Sequence, residues 1–174
     1  KKRQLCIDLY EIKTSGSKLI PNQSNNSIKI NSEGFRGDNF SIVKPDGFYR
    51  IITVGGSTMF GYGATSDETT IPGYFETLLQ NDFKLYDIEV INAGISGATS
   101  FTELELIKNK LIDYEPDLII VYDGWNDLRS NYSSEYVLKN WNEMCQLSQE
   151  NDFELMIFLQ PISGFGDKVL TEQE

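Results

Sequence analysis

From about residue 48 onward, short apolar runs alternate with longer amphipathic stretches, and this alternation limits the fold more than any other feature. The apolar runs cover residues 48–54, 88–92, 117–122 and 153–159. Each has strand length, and Leu118-Ile119-Ile120-Val121 is the continuous run expected when both faces of a strand are covered. Between them lie helical patterns. Residues 70–80 carry Pro72 where a first turn accepts it, with Tyr74, Phe75, Leu78 and Leu79 on one side. Residues 100–114 open on Ser100 and Glu103, the spacing of a capping box, and carry Leu104, Ile107 and Leu111 as a stripe. Residues 133–150 form the last helical pattern. Strand–helix alternation of this kind predicts a parallel sheet with helices on both faces, a three-layer α/β/α sandwich.

Residues 1–47 read differently. They are rich in Asn, Ser and Lys, and Ser27-Ile28-Lys29-Ile30 alternates with strand period. They predict an extended or β-hairpin arm, too short for its own core, ahead of an α/β domain over residues 48–174. Gly34-Phe35-Arg36-Gly37 reads as a turn presenting one aromatic and one cation.

In an open parallel sheet, ligands bind beyond the carboxyl ends of the strands. The segments that follow the runs are Gly55-Gly56-Ser57-Thr58, Asn92-Ala93-Gly94-Ile95-Ser96-Gly97, Asp123-Gly124-Trp125-Asn126-Asp127 and Gln160-Pro161-Ile162-Ser163-Gly164. They bring a serine, a glycine and an asparagine to one edge. Acyl transfer needs a nucleophile and fixed N–H donors for the developing oxyanion. Ser57 fits the first role. The Gly94 N–H and the Asn126 amide fit the second, with the Ser57 N–H as a third donor. Asp127 reads as a brace for its loop, Trp125 and Tyr62 as lining or packing residues, and Asp123 and Asp167 as carboxylates without a partner that would make them bases.

On these residues the chain resembles the SGNH hydrolases, the GDSL-type esterase superfamily. Gly55-Gly56-Ser57-Thr58 matches the serine block, with Gly56 where the family often has Asp. Asn92-Ala93-Gly94 and Gly124-Trp125-Asn126-Asp127 match the glycine and asparagine blocks, and Gly34-Phe35-Arg36-Gly37 resembles an element of members with N-terminal extensions. The resemblance implies a flavodoxin-like sheet, a serine ester hydrolase with Ser57 as nucleophile and Gly94 and Asn126 in the oxyanion hole, and a small-molecule or glycan ester as substrate. It also implies an Asp-x-x-His block supplying the base. The 174 residues contain no histidine, so that block and a further strand are expected beyond residue 174, the fold here being C-terminally incomplete. The alternative is a non-catalytic SGNH-like binding module or a structural subunit of an envelope assembly.

The net charge of -11 disfavours nucleic acid and anionic membrane as partners. Glycine spacing fits neither dinucleotide nor P-loop binding, and no Cys or carboxylate cluster has ligand spacing, so neither cofactor nor metal is expected. Cys6 and Cys145 do not make a disulfide framework, and Cys145 is expected to be a buried thiol. No apolar run has membrane-spanning length. Asn-x-Ser sequons at Asn22, Asn25, Asn39 and Asn131 lean toward an extracytoplasmic or cell-surface location.

Overall fold

The computed structural model describes residues 12–15 and 18–161. Cys6, Asp167 and the segment that follows Pro161 lie outside them. The elements in chain order are β1 (Thr14–Ser15), β2 (Lys18–Leu19), β3 (Gln23–Ser24), β4 (Lys29–Ile30), β5 (Tyr49–Gly55), α1 (Ser57–Phe60), α2 (Ile71–Asn81), β6 (Ile88–Asn92) and α3 (Ser100–Asn109). A 3-10 turn (Leu111–Tyr114), β7 (Leu118–Asp123), α4 (Trp125–Arg129), α5 (Ser134–Glu150) and β8 (Glu154–Leu159) complete them.

The four long strands form one sheet in the order β6-β5-β7-β8, every pair parallel. The chain therefore starts in the middle of the sheet, goes to one edge and returns past its start. That order gives the flavodoxin-like arrangement, and its switch point lies between β5 and β7. The main core sits under α3 and α5. Ile52, Val54, Ile91, Ile119 and Val121 from the strands meet Leu104, Ile107, Leu111 and Met144 from the helices. α3 ends where Lys110 breaks helical geometry (φ −149), so the apolar stripe continues through the 3-10 turn instead of one long helix.

Several expectations shift. β7 is less covered than its composition suggests: Ile119 and Val121 are fully buried, but Ile120 and Tyr122 are only half-buried. On α2, Phe75 and Leu79 turn inward while Tyr74 and Leu78 stay exposed, because the apolar arc is wider than the edge strand it packs on. Cys145 is exposed, not buried. On α5 the buried side chains are Asn140 and Met144, four apart on one face, and Cys145 is the next residue round the helix.

The arm is two short hairpins, β1–β2 and β3–β4. Ile28 and Ile30 are buried against Leu19 and Phe60, as the alternation predicts. Arg36 bridges antiparallel to Ile30 on one side and to Asn92 on the other, fastening the arm to the end of β6. Phe35 enters the main core, where it stacks on Phe40 and meets Tyr114 edge to face. Phe35 and Arg36 are both nearly inaccessible, so this turn buries its aromatic and its cation instead of presenting them. No helix among the described residues is long and apolar enough to cross a membrane.

Candidate active site

Ser57 is the first residue of α1, directly after β5. It is half-buried, and among the described residues nothing hydrogen-bonds its Oγ. Close packing explains the glycines before it. A Cβ on Gly55 would lie 2.7 Å from Tyr122 O and 2.8 Å from Met59 Cβ. A Cβ on Gly56 would run into Asn126 Nδ2 and would lie 3.7 Å from Ala98 O. The Asp that the family often carries in place of Gly56 has no room beside this Asn126 rotamer.

Asn126 reaches the same point from α4. Its Nδ2 donates to Ala98 O at 2.7 Å, which spends one of two amide hydrogens. The loop after β6 supplies Ala98. Three strand ends, those of β5, β6 and β7, thus converge on Gly56–Ser57, Gly97–Ala98 and Asn126.

Gly94 takes a different place. Its N–H donates to Asn92 Oδ1 at 3.1 Å, and a Cβ there would collide with Phe60 N and Met59 C. It is a packing glycine that lets α1 lie on the end of β6, and its donor is already engaged. Gly97, three residues on, has φ +83 and open space around its Cβ position, and its N–H has no acceptor among the described residues. Counting from the strand end favours the first glycine of the loop, while the hydrogen-bond pattern leaves the second one available.

Asp127 braces the loop that carries Asn126. Its carboxylate accepts from Ser100 N–H at 3.0 Å and from Ser100 Oγ at 2.6 Å, and Asn140 Nδ2 donates to that same Oγ at 2.8 Å. The capping box at the start of α3 is accordingly one residue earlier than predicted. Thr99 is the N-cap, and its N–H donates to Thr102 Oγ1 at 2.9 Å.

Glu103, freed from the cap, is a residue the sequence reading mis-assigned. It is only 1% exposed, and among the described residues neither carboxylate oxygen has a hydrogen-bond partner. Burial, then the charges of Asp123 and Asp127, push it well above the usual carboxylate range. Burial likewise pushes Asp123 up to about 7, with Asp127 adding to the shift. Asp123 accepts from Gly124 N–H at 2.6 Å and Trp141 Nε1 at 3.2 Å, so it braces the strand end and does not face Ser57 as a free base.

A cavity of about 700 Å³ opens beside this convergence. Gly55, Ala93, Ile95, Gly97, Ala98 and Phe101 line it, but neither Ser57 nor Asn126 does. Trp125 and Tyr62 are partly exposed, at 39% and 53%. Among the described residues no cluster of His, Cys, Asp and Glu is arranged to hold a metal ion. The arrangement presents a hydroxyl and neutral N–H donors at one edge, the equipment for acyl-oxygen chemistry.

The profile of the GDSL-like lipase/acylhydrolase family matches residues 53–172. Among solved structures, the chain is similar to AlinE4, an SGNH-hydrolase family esterase, at 28% identity and TM-score 0.57, over 65% of this chain and 59% of that one. It shares its fold with TesA at 23% identity and TM-score 0.56, over 62% of this chain and 58% of that one. The chain thus spans about three-fifths of the length of these structures. No curated protein sequence matches it.

Proposed function

Because the chain belongs to the GDSL-like lipase/acylhydrolase family, we propose that it hydrolyses esters with Ser57 as the nucleophile. Ser57 Oγ attacks the acyl carbon, and the negative charge that develops on the former carbonyl oxygen is held by the Ser57 N–H, the free hydrogen of Asn126 Nδ2 and a backbone N–H of the loop after β6. Gly97 takes the place first assigned to Gly94 as that backbone donor. As the Ser57 Oγ–acyl bond forms, the ester C–O bond breaks and the alcohol leaves with the proton drawn from Ser57; water then attacks the acyl-enzyme, releasing the carboxylic acid and restoring the Ser57 hydroxyl. Residues 1–174 contain no histidine, so they do not themselves supply the imidazole base that such a serine uses to give up its proton.

One observation supports this reading above the others: Asn126 Nδ2, held by Ala98 O, packs against Gly56, the residue before Ser57, so a neutral side-chain donor lies one residue from the nucleophile, beside the cavity. The substrate class proposed is a small acyl or carbohydrate ester, whose acyl part would lie toward Ile95, Ala98 and Phe101.

The test is hydrolysis of p-nitrophenyl acetate by the complete protein and its Ser57→Ala variant. Loss of the nucleophile is expected to lower kcat by about 10⁴-fold or more. Turnover that survives in Ser57→Ala would overturn the assignment, and a complete wild-type protein that binds the ester without turnover would point to a binding module.

A further inference from the structure

The helix that carries Ser57 has four residues, far below the length at which a helix holds itself together. Its position must be set from outside, and the arm supplies the means. The Arg36 side chain is 1% exposed. A guanidinium has five N–H donors in a planar fork, and here each has an acceptor. Nε donates to Asp67 Oδ1 at 2.7 Å. One terminal nitrogen, Nη1, donates to Phe60 O at 3.1 Å and Gly61 O at 2.9 Å. The other, Nη2, donates to Ser27 O at 2.8 Å and Ser66 O at 3.2 Å.

Phe60 O and Gly61 O are carbonyls at the C-terminal end of α1, where a helix has no internal donors left and where positive charge is favoured. The guanidinium also lies 5.1 Å from the Phe60 ring centroid. The Arg36 backbone adds a second tie, its N–H donating to Asn92 O at 3.2 Å. Asn92 in turn reaches Phe60 O with Nδ2 at 3.4 Å and holds the Gly94 N–H. One arm residue therefore fixes the α1 end against the end of β6.

We infer that Arg36 is a positioning residue for Ser57: its grip on the α1 carbonyls sets the direction in which Ser57 Oγ leaves the turn. The inference rests on Ser57 being the nucleophile. A lysine would keep the charge but offers three donors from one point, and cannot span four carbonyls from three chain segments.

The experiment uses the complete protein with Arg36→Lys, Arg36→Met and Asp67→Asn. Misplacement of a reacting group by about 1 Å costs on the order of 100-fold in rate, so kcat on p-nitrophenyl acetate is expected to fall about 100-fold in Arg36→Met and about 10-fold in Arg36→Lys. KM should stay within about threefold, because the ester does not touch Arg36. Amide exchange should quicken at Gly61 and Tyr62, whose N–H groups donate to Ser57 O at 3.0 and 2.8 Å, while β7 amides keep their protection. A folded Arg36→Lys with wild-type kcat, or unchanged exchange at Gly61 and Tyr62, overturns the inference. If the arginine variants do not fold, Asp67→Asn, which weakens the Nε contact and the Lys29 N–H contact at 3.2 Å but leaves the α1 carbonyls untouched, carries the same two comparisons with smaller shifts. A wild type without esterase activity would sink the nucleophile reading alone, and exchange would still decide whether Arg36 sets α1.

Discussion

On the Ser57 side of the site the buried polar group is a cation; on the Asn126 side it is a set of carboxylates. Arg36 places all five donors and leaves none unsatisfied, and four of its acceptors are backbone carbonyls. Glu103, Asp123 and Asp127 are each no more than 3% exposed. Among the described residues none of the three pairs with a cation, and Glu103 has no hydrogen-bond partner. Both clusters do the same work, holding a short helix at a strand end. They differ in cost and in response to pH. A guanidinium stays charged across the working range, and of its five acceptors only Asp67 titrates. On the carboxylate side burial holds Glu103 and Asp123 above the usual carboxylate range, so that side responds to pH where the arginine does not.

The contrast predicts unequal responses to substitution. Arg36→Met strips the cation from a buried network and strands its acceptors, so urea unfolding should show a loss of about 3–5 kcal/mol. A loss under about 1 kcal/mol would mean the network is no tighter than a surface pair. Next in size is Asp127→Ala. It removes a charged acceptor from the Ser100 N–H and hydroxyl, and a loss of about 2–3 kcal/mol is expected. Activity should fall with it, since Asn126 is the residue before Asp127.

Glu103→Leu should act in the opposite direction. The folded chain holds Glu103 and Asp123 above their ordinary values, so between those values and the folded ones it binds protons that the unfolded chain has released. The stability from these groups is complete below about pH 4 and is lost as pH rises, for Asp123 through about 7. Replacing Glu103 by an apolar residue of similar size should therefore stabilise the chain by about 1–2 kcal/mol at pH 8, and by less at pH 5. A variant that is less stable than wild type at pH 8 would show that Glu103 has a partner. The smallest effect belongs to Lys108→Ala. Its 3.1 Å pair with Glu143 is exposed on both sides, and thermal unfolding should shift by no more than about 0.5 kcal/mol equivalent.

The sheet was readable because β5 to β8 are short, mostly apolar runs, and such a run locates a strand without any knowledge of its neighbours. Where Ser57 and Asn126 lie was readable for a related reason: each is within three residues of a strand end, so chain position fixes spatial position. Gly94 and Gly97 show where that logic stops. Both follow β6, and only the Asn92 side chain decides which N–H is occupied. The Ser100 and Glu103 assignment failed by one residue at the cap, and that single step turned a surface glutamate into a buried one. Arg36 was the hardest to read. Its acceptors come from residues 27, 60–61, 66 and 67, and no spacing in the chain announces that these carbonyls meet.

The central claim is that Ser57, at the end of β5, is the group that takes the acyl carbon. A fluorophosphonate reacts irreversibly with an activated serine, and peptide mass mapping locates the adduct. Treating the complete protein should give one adduct, on Ser57, absent in Ser57→Ala and slowed in Arg36→Lys. Ester turnover with no adduct at Ser57, or with the adduct on another serine, would contradict the account.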